Sequence, residues 1–205
     1  SYENPDSTYK LLDIGLNYLL ESKQLFESDS NKRLTKDFFR RFYYNLKGIC
    51  FYLLKRESEC LDMWLKTEKI CIKQNDTSFL LRVNNNIAIV YTTTGREKEA
   101  LKIFTDQKKI YETKKDTGGI ITSSINISTI IKNNDSIVLL LNNALDLAIS
   151  ADRSNSFTNI YANLAGIYLD TNSKKTFSLK KAKACLDSLI LYANEQSDVE
   201  SKILY

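Results

Sequence analysis

The 205-residue chain contains no histidine. Its absence removes the commonest general base and the commonest metal ligand, so any catalysis would fall to carboxylates, lysine, cysteine or tyrosine. Proline occurs once, at Pro5, and glycine six times. A β protein needs turn residues every ~8–12 positions, and this chain does not supply them. No apolar run approaches the ~18 residues that span a bilayer, and the N-terminus has no apolar signal-peptide core. The opening SYENPDS carries no methionine, which predicts an excised or mature piece of a longer protein. The GxGxxG, GxxxxGK[ST], GxSxG and HExxH patterns are all missing, so neither an enzyme nor a cofactor is expected.

Excess charge is also scarce. Twenty-nine basic and 25 acidic residues leave a net +4, too even for a nucleic-acid binder, whose cations cluster on one face. The densest basic run, Lys174, Lys175, Lys180, Lys181 and Lys183, reads as a solvated helix face in preference to a phosphate site. Four cysteines stand at Cys50, Cys60, Cys71 and Cys185 without a CxxC pair. That spacing argues against zinc. Each lies in an apolar helical context, where free cysteine behaves as a small hydrophobe.

Helical periodicity and aromatic bulk are plentiful, with 12 Tyr and nine Phe. Leu11, Leu12, Ile14, Leu16, Tyr18 and Leu19 predict a first helix over Thr8–Glu27. Polar breaks follow at SDSN (28–31), QNDTS (74–78), KKDTGG (114–119), ADRSNS (151–156) and NEQSD (194–198), each with residues suited to capping a helix. Weaker breaks, LKRES, TTGRE, KNNDS and DTNSKK, divide the intervals between them.

These intervals are copies of one unit. Phe51, Tyr91 and Ile131 stand 40 apart, and Tyr168 follows 37 later. Three residues before each is a small one: Gly48, Ala88, Ser128 and Ala165. A second-helix triplet recurs as Cys60, Trp64 and Thr67; Ala100, Phe104 and Gln107; Ile137, Leu141 and Ala144; then Ala182, Leu186 and Leu189. The third copy is three residues short, which places a deletion around KNND, and the fourth has a turn about five longer. Small residues let paired helices approach closely. The pairs expected are Gly48 with Cys60, Ala88 with Ala100, and Ala165 with Ala182, with Trp64, Phe104 and Leu186 filling the grooves between hairpins.

The best-formed copy, NNIAIVYTTTGREKEALKIF (85–104), resembles the tetratricopeptide repeat (TPR): a small residue, Tyr, a Gly turn, then E-A-L and an aromatic. The period near 40 and the polar joins look like the arrays of Bacteroidetes sensor histidine kinases and LuxR-like regulators. The resemblance implies an all-α, TPR-like α-solenoid, a right-handed superhelix of antiparallel hairpins. One array would fill 1–205: an N-terminal helix (1–30), hairpins at 38–75, 77–115, 117–151 and 154–196, and the start of a truncated helix at 198–205. It further implies a peptide- or protein-binding sensor or scaffold in a bacterial signalling protein. A periplasmic region of a membrane-anchored protein and a cytoplasmic location both stay open. The other reading is a spacer or dimerisation array with an empty groove.

Asn86, Asn126 and Asn163 recur five residues before the marker in three copies, where the first copy has Leu46. Asparagine offers a donor and an acceptor together. In peptide-binding TPR proteins asparagines at this place hold a peptide backbone, so the resemblance implies a groove. Structural use between helix ends is the alternative. Arg82, Asn85, Ile89, Thr92, Thr129, Lys132, Asn159 and Ala162 are expected beside them, and Arg82 and Lys132 would suit an acidic or C-terminal carboxylate. The aromatic run DFFRRFYYNL (37–46) is richer than one core face requires, and a partner or homodimer surface is the reading beside core packing. No nucleic acid and no membrane span are expected of this region.

Overall fold

The computed structural model describes residues 29–173 and 176–203, together with Ile14. The helix expected over Thr8–Glu27, and Lys174 and Lys175 of the basic run, lie outside the described residues. Among the described residues there is no strand. The helices are α1 (Asp29–Leu53), α2 (Glu57–Lys73), α3 (Thr77–Thr93), α4 (Glu97–Lys114), α5 (Thr117–Ser128), α6 (Asn134–Ser150), α7 (Phe157–Leu169) and α8 (Leu179–Ile203), with a short 3-10 turn at Ser154–Ser156. Two compact units divide the chain, Ser1–Ala100 and Leu101–Tyr205.

One kind of join makes most of this architecture. Lys55, Asn75, Gly95 and Lys115 adopt positive φ of 58°, 54°, 78° and 54°, at intervals of 20 residues. In each case the next residue sends its N–H back across the turn: Arg56 to the Phe51 carbonyl, Asp76 to Cys71, Arg96 to Tyr91 and Asp116 to Tyr111. These are Schellman closures, which satisfy the last carbonyls of a helix. The same next residue then opens the following helix, its carbonyl accepting from Cys60, Leu80, Ala100 or Ile120. Two or three residues thus end one helix and start another. Asp152 (φ 50°) repeats the device, with the Arg153 N–H returning to Ala148.

Side chains mark which join is which. Between the helices of a copy, Arg56 and Arg96 each reach Glu59 and Glu99, at 2.6 and 3.0 Å. Their guanidinium groups lie 4.7 and 3.7 Å from the ring centres of Phe51 and Tyr91. Between copies the residue is aspartate instead. Asp76 and Asp116 accept from the N–H groups of Phe79 and Gly119, at 2.9 and 3.1 Å, as N-caps.

In the first unit α1 packs on α2 and α2 on α3. A β-carbon on Gly48 would meet the Trp64 indole at 2.5 Å, so Trp64 rests on Gly48 inside its own hairpin. Trp64 therefore does not fill a groove between hairpins, as the sequence suggested; its Nε1 donates to the Asn45 carbonyl at 3.3 Å. In the second unit Ile121, Ile137, Leu141, Ala144, Ile160, Leu164 and Ala165 form the centre of a core completed by Ala182 and Cys185 of α8. Leu186, expected to fill a groove between hairpins, is 43% exposed, and Cys185, one residue earlier, takes the buried place.

The last two copies depart from the uniform join. The third is three residues short, but α5 gives up more than that. It has 12 residues where α3 has 17, and the link after it (129–133) is longer than the two- or three-residue joins. Ser128 and Thr129 turn their hydroxyls onto the carbonyls of Ile125 and Asn126, at 2.6 and 2.8 Å, closing the helix early. Ile131 consequently lies beyond the helix. In the fourth copy residues 170–178 link α7 to α8. Helix α8 then runs through NEQSD to Ile203, without the break expected at 194–198.

Candidate functional site

The asparagine positions fall on three first helices, α3, α5 and α7. Asn86, Asn126 and Asn163 are each half-buried, neither core nor free surface. On α3, Arg82 is exposed and its guanidinium sits 5.1 Å over the Phe79 ring. Asn85 and Ile89 are half-buried beside it. In the second unit Asn159 is exposed on α7. Lys132 is exposed as well, but it stands in the link after α5 and not on a first helix, because that helix stops at Ser128.

At the two long links the second unit opens a cleft of about 350 Å³, lined by Lys132 and Asn133 from one link, Asn134 and Asp135 from the first turn of α6, and Asp170, Asn172 and Ser173 from the other link. Asn134 joins its walls, donating from Nδ2 to Asp170 Oδ2 at 3.0 Å and to Thr176 Oγ1 at 3.2 Å. The Asn134 amide, and then the Asn172 backbone N–H, hold the Asp170 carboxyl below the usual carboxylate range. The arrangement is self-satisfied: these polar groups bind each other.

The first unit holds a charged device that the sequence did not disclose. Arg41 of α1 is buried, with its side chain 7% exposed, and it pairs with Asp76, the N-cap of α3. It also donates to Gln74 Oε1 at 3.1 Å. The rings of Phe38, Phe42 and Phe79 surround the guanidinium at 4.5–5.3 Å. Its Nε has no hydrogen-bond partner, so the aromatic faces carry part of its solvation by cation–π contact. The N–H of Phe79 and, beyond it, the Arg41 charge hold the Asp76 carboxyl below its ordinary range. The only sequence signal was a pair of arginines, Arg40 and Arg41, inside an aromatic-rich helix run, 35 residues before Asp76 in the case of Arg41.

Along α1 the aromatic run resolves into two faces. Arg41, Gly48 and Phe51 turn inward. Phe38, Phe42, Leu46, Ile49 and Leu53 are 45, 40, 43, 37 and 70% exposed. Leu46 occupies the step of the repeat where later copies carry Asn86, Asn126 and Asn163.

The thiols are placed for packing. Burial pushes Cys60 up to about 12 and Cys71 up to about 11, so both stay protonated and poorly nucleophilic at neutral pH. Among the described residues no three His, Cys, Asp or Glu side chains gather as a metal site would require, and no helix is long and apolar enough to cross a membrane.

No family model and no curated protein matches the chain. Solved structures do. The crystal structure of BtubC (BKLC) from P. vanneervenii superposes with a TM-score of 0.60 at 14% identity, over 96% of this chain and 85% of that one. A Podosopora anserina putative kinesin light chain with nearly identical TPR-like repeats gives 0.56 at 11% identity, over 95% and 98%. At these identities the likeness establishes the fold, an all-α TPR-like array of helical hairpins.

Proposed function

We propose that this chain is a non-enzymatic module that holds a protein or peptide partner, as the sensor or scaffold region of a larger bacterial signalling or regulatory protein. TPR-like folds suit protein interaction, and no convergent catalytic group was found in the sequence. The observation that carries the reading is the asparagine step. Asn86, Asn126 and Asn163 sit at one position of three successive first helices, each partly open to solvent. An amide there can both donate to and accept from the backbone of an extended peptide.

The test is affinity for an extended peptide. Peptides selected from a displayed library against the full chain are titrated into wild type and into Asn86→Ala/Asn126→Ala/Asn163→Ala. The expected loss is at least about tenfold, since one such hydrogen bond contributes ~0.5–1.5 kcal/mol, with an unchanged melting curve. Equal affinity in the triple variant removes the reading.

A second reading, a spacer or dimerisation array that binds nothing in its groove, draws on the exposed apolar residues of α1 and of α8, where Leu186, Ile190 and Leu191 are 43, 57 and 56% exposed. Light scattering separates the two: the spacer reading expects a dimer.

A further inference from the structure

The third and fourth copies differ from the first two in their longer inner links, and residues of both links line one cleft. Departures of single repeats in an array map to loops on one face, often the binding face. At about 350 Å³ the cleft falls within the range of small-molecule sites, ~300–1,000 Å³. Such sites are mostly apolar, whereas every residue that lines this one is polar or charged. Its ligand must therefore be polar.

The hydrogen bonds around the cleft leave two groups unspent. Asn134 makes both of its bonds through Nδ2, to Asp170 and to Thr176, so its Oδ1 is left as an acceptor. Asp170 accepts from the Asn134 amide and the Asn172 backbone N–H, both neutral donors. These donors hold it ionised at neutral pH, and among the described residues no cation pairs with it. A carboxylate beside an amide oxygen seats a primary ammonium, which has three donors and no acceptor. Lys132 brings the opposite charge from the other link. The lining thus holds one cation, Lys132, and two carboxylates, Asp135 and Asp170. That set selects among ligands. Lys132 opposes a divalent metal, and among the described residues no three metal-binding side chains gather. An anion would meet two like charges. A simple amine would suit Asp170 but meet the Lys132 charge, whereas a zwitterion meets an opposite charge at both.

We propose that this cleft binds a free α-amino acid with a polar, non-acidic side chain. The ammonium sits on Asp170 and the Asn134 Oδ1, the carboxylate turns to Lys132, and the side chain lies against Asn172 and Ser173. Asn134, Thr176 and Ser173 already tie the walls together, which limits the entropy lost on binding. The site is separate from the asparagine step and stands without it.

Calorimetric titration of the full 205-residue chain with the common L-amino acids, one at a time, tests the proposal. Saturable binding is expected, tightest for serine, threonine, asparagine or glutamine. The N-acetyl form of the best ligand, which lacks the ammonium, should bind at least about tenfold more weakly, and Asp170→Asn should cost the amino acid as much. Lys132→Met, at an exposed link residue, leaves the core untouched and should cost about two- to fivefold. The amide of the ligand, which lacks the carboxylate, should lose as much in wild type at pH ~6, where its ammonium stays protonated. In Lys132→Met the amino acid and its amide should bind alike. The asparagine triple variant should bind the amino acid as wild type does. The proposal falls if no amino acid binds, or if Asp170→Asn and Lys132→Met leave the affinity unchanged. An amide that binds wild type as tightly as the amino acid would assign the cleft to an amine or a peptide N-terminus and overturn it.

Discussion

The first two copies and the last two solve the same packing problem with different connections. In copies one and two, Schellman joins of two or three residues at Lys55, Asn75, Gly95 and Lys115 connect the helices, and α2, α3 and α4 have 17, 17 and 18 residues. In copies three and four, links of residues 129–133 and 170–178 replace the inner joins, and the freed polar groups of Asn134, Asp170 and Thr176 bind one another around a cleft. Both versions bury the small residues Gly48, Ala88, Ser128 and Ala165. The helix contact is thus the invariant, and the join can vary once side-chain hydrogen bonds take over the satisfaction of the helix ends.

The sharpest contrast is between two glycines. Gly48 faces the Trp64 indole with no room for a β-carbon, whereas Gly166 of α7 has nothing within 4 Å. Gly48→Ala should destabilise by about 1–3 kcal/mol through overpacking. Gly166→Ala should stabilise by about 0.5–1 kcal/mol through helix propensity. Urea denaturation followed by circular dichroism reads both, and equal effects would break the comparison.

Next in size is the buried latch against the exposed pairs. Asp76→Asn leaves the Arg41 charge buried and should cost about 2–3 kcal/mol. That is less than the ~3–5 kcal/mol of a fully buried pair, because Asp76 keeps 31% exposure. Glu99→Gln, in the exposed Arg96 pair, should change stability by no more than ~1 kcal/mol. Acid sharpens this contrast. The folded state lowers the Asp76 pKa, so its contribution is present above the unfolded value near 3.9 and is lost as pH falls through the folded one. The stability gap between wild type and Asp76→Asn should therefore be full at pH 7 and narrow below pH ~4. A constant gap down to pH 2 would mean that the carboxylate does not act as a charge.

The smallest effects lie at the joins. Gly95→Ala meets a φ of 78° and should cost about 1 kcal/mol. Lys55→Gly and Lys115→Gly, at φ 58° and 54°, should gain about 0.5–1 kcal/mol, because the relief of left-handed strain outweighs the added freedom of the unfolded chain. Opposite signs at residues 95 and 115 in melting experiments would confirm that the joins are equivalent.

Much of the fold was legible because helix pairing is local. The small residues at 48, 88, 128 and 165 and the second-helix triplets of the first three copies all fall on buried positions; of the marker step, Phe51 and Tyr168 are buried while Tyr91 and Ile131 are half-buried. The joins were less legible. Only Gly95 announces its left-handed conformation, while Lys55, Asn75 and Lys115 carry it without glycine. Of the candidate site, the position of the asparagines on first helices could be read, but not that Lys132 would leave its helix. That depended on Ser128 and Thr129 bonding backward to the carbonyls of Ile125 and Asn126, a choice that propensity leaves open.

Sequence by itself determined that this protein is all helical and repetitive, without histidine chemistry, because the period of apolar residues and the inventory of side chains are properties of the chain alone. Tertiary structure decided which aromatic residues of α1 face outward and that Trp64 lies on Gly48. It also decided that Arg41 is buried among three phenylalanines, with Asp76 as its counter-charge. Those outcomes depend on neighbours tens of residues away. A helix of aromatic and basic residues fits several orientations about its axis, and only the partner carboxylate and the indole select one.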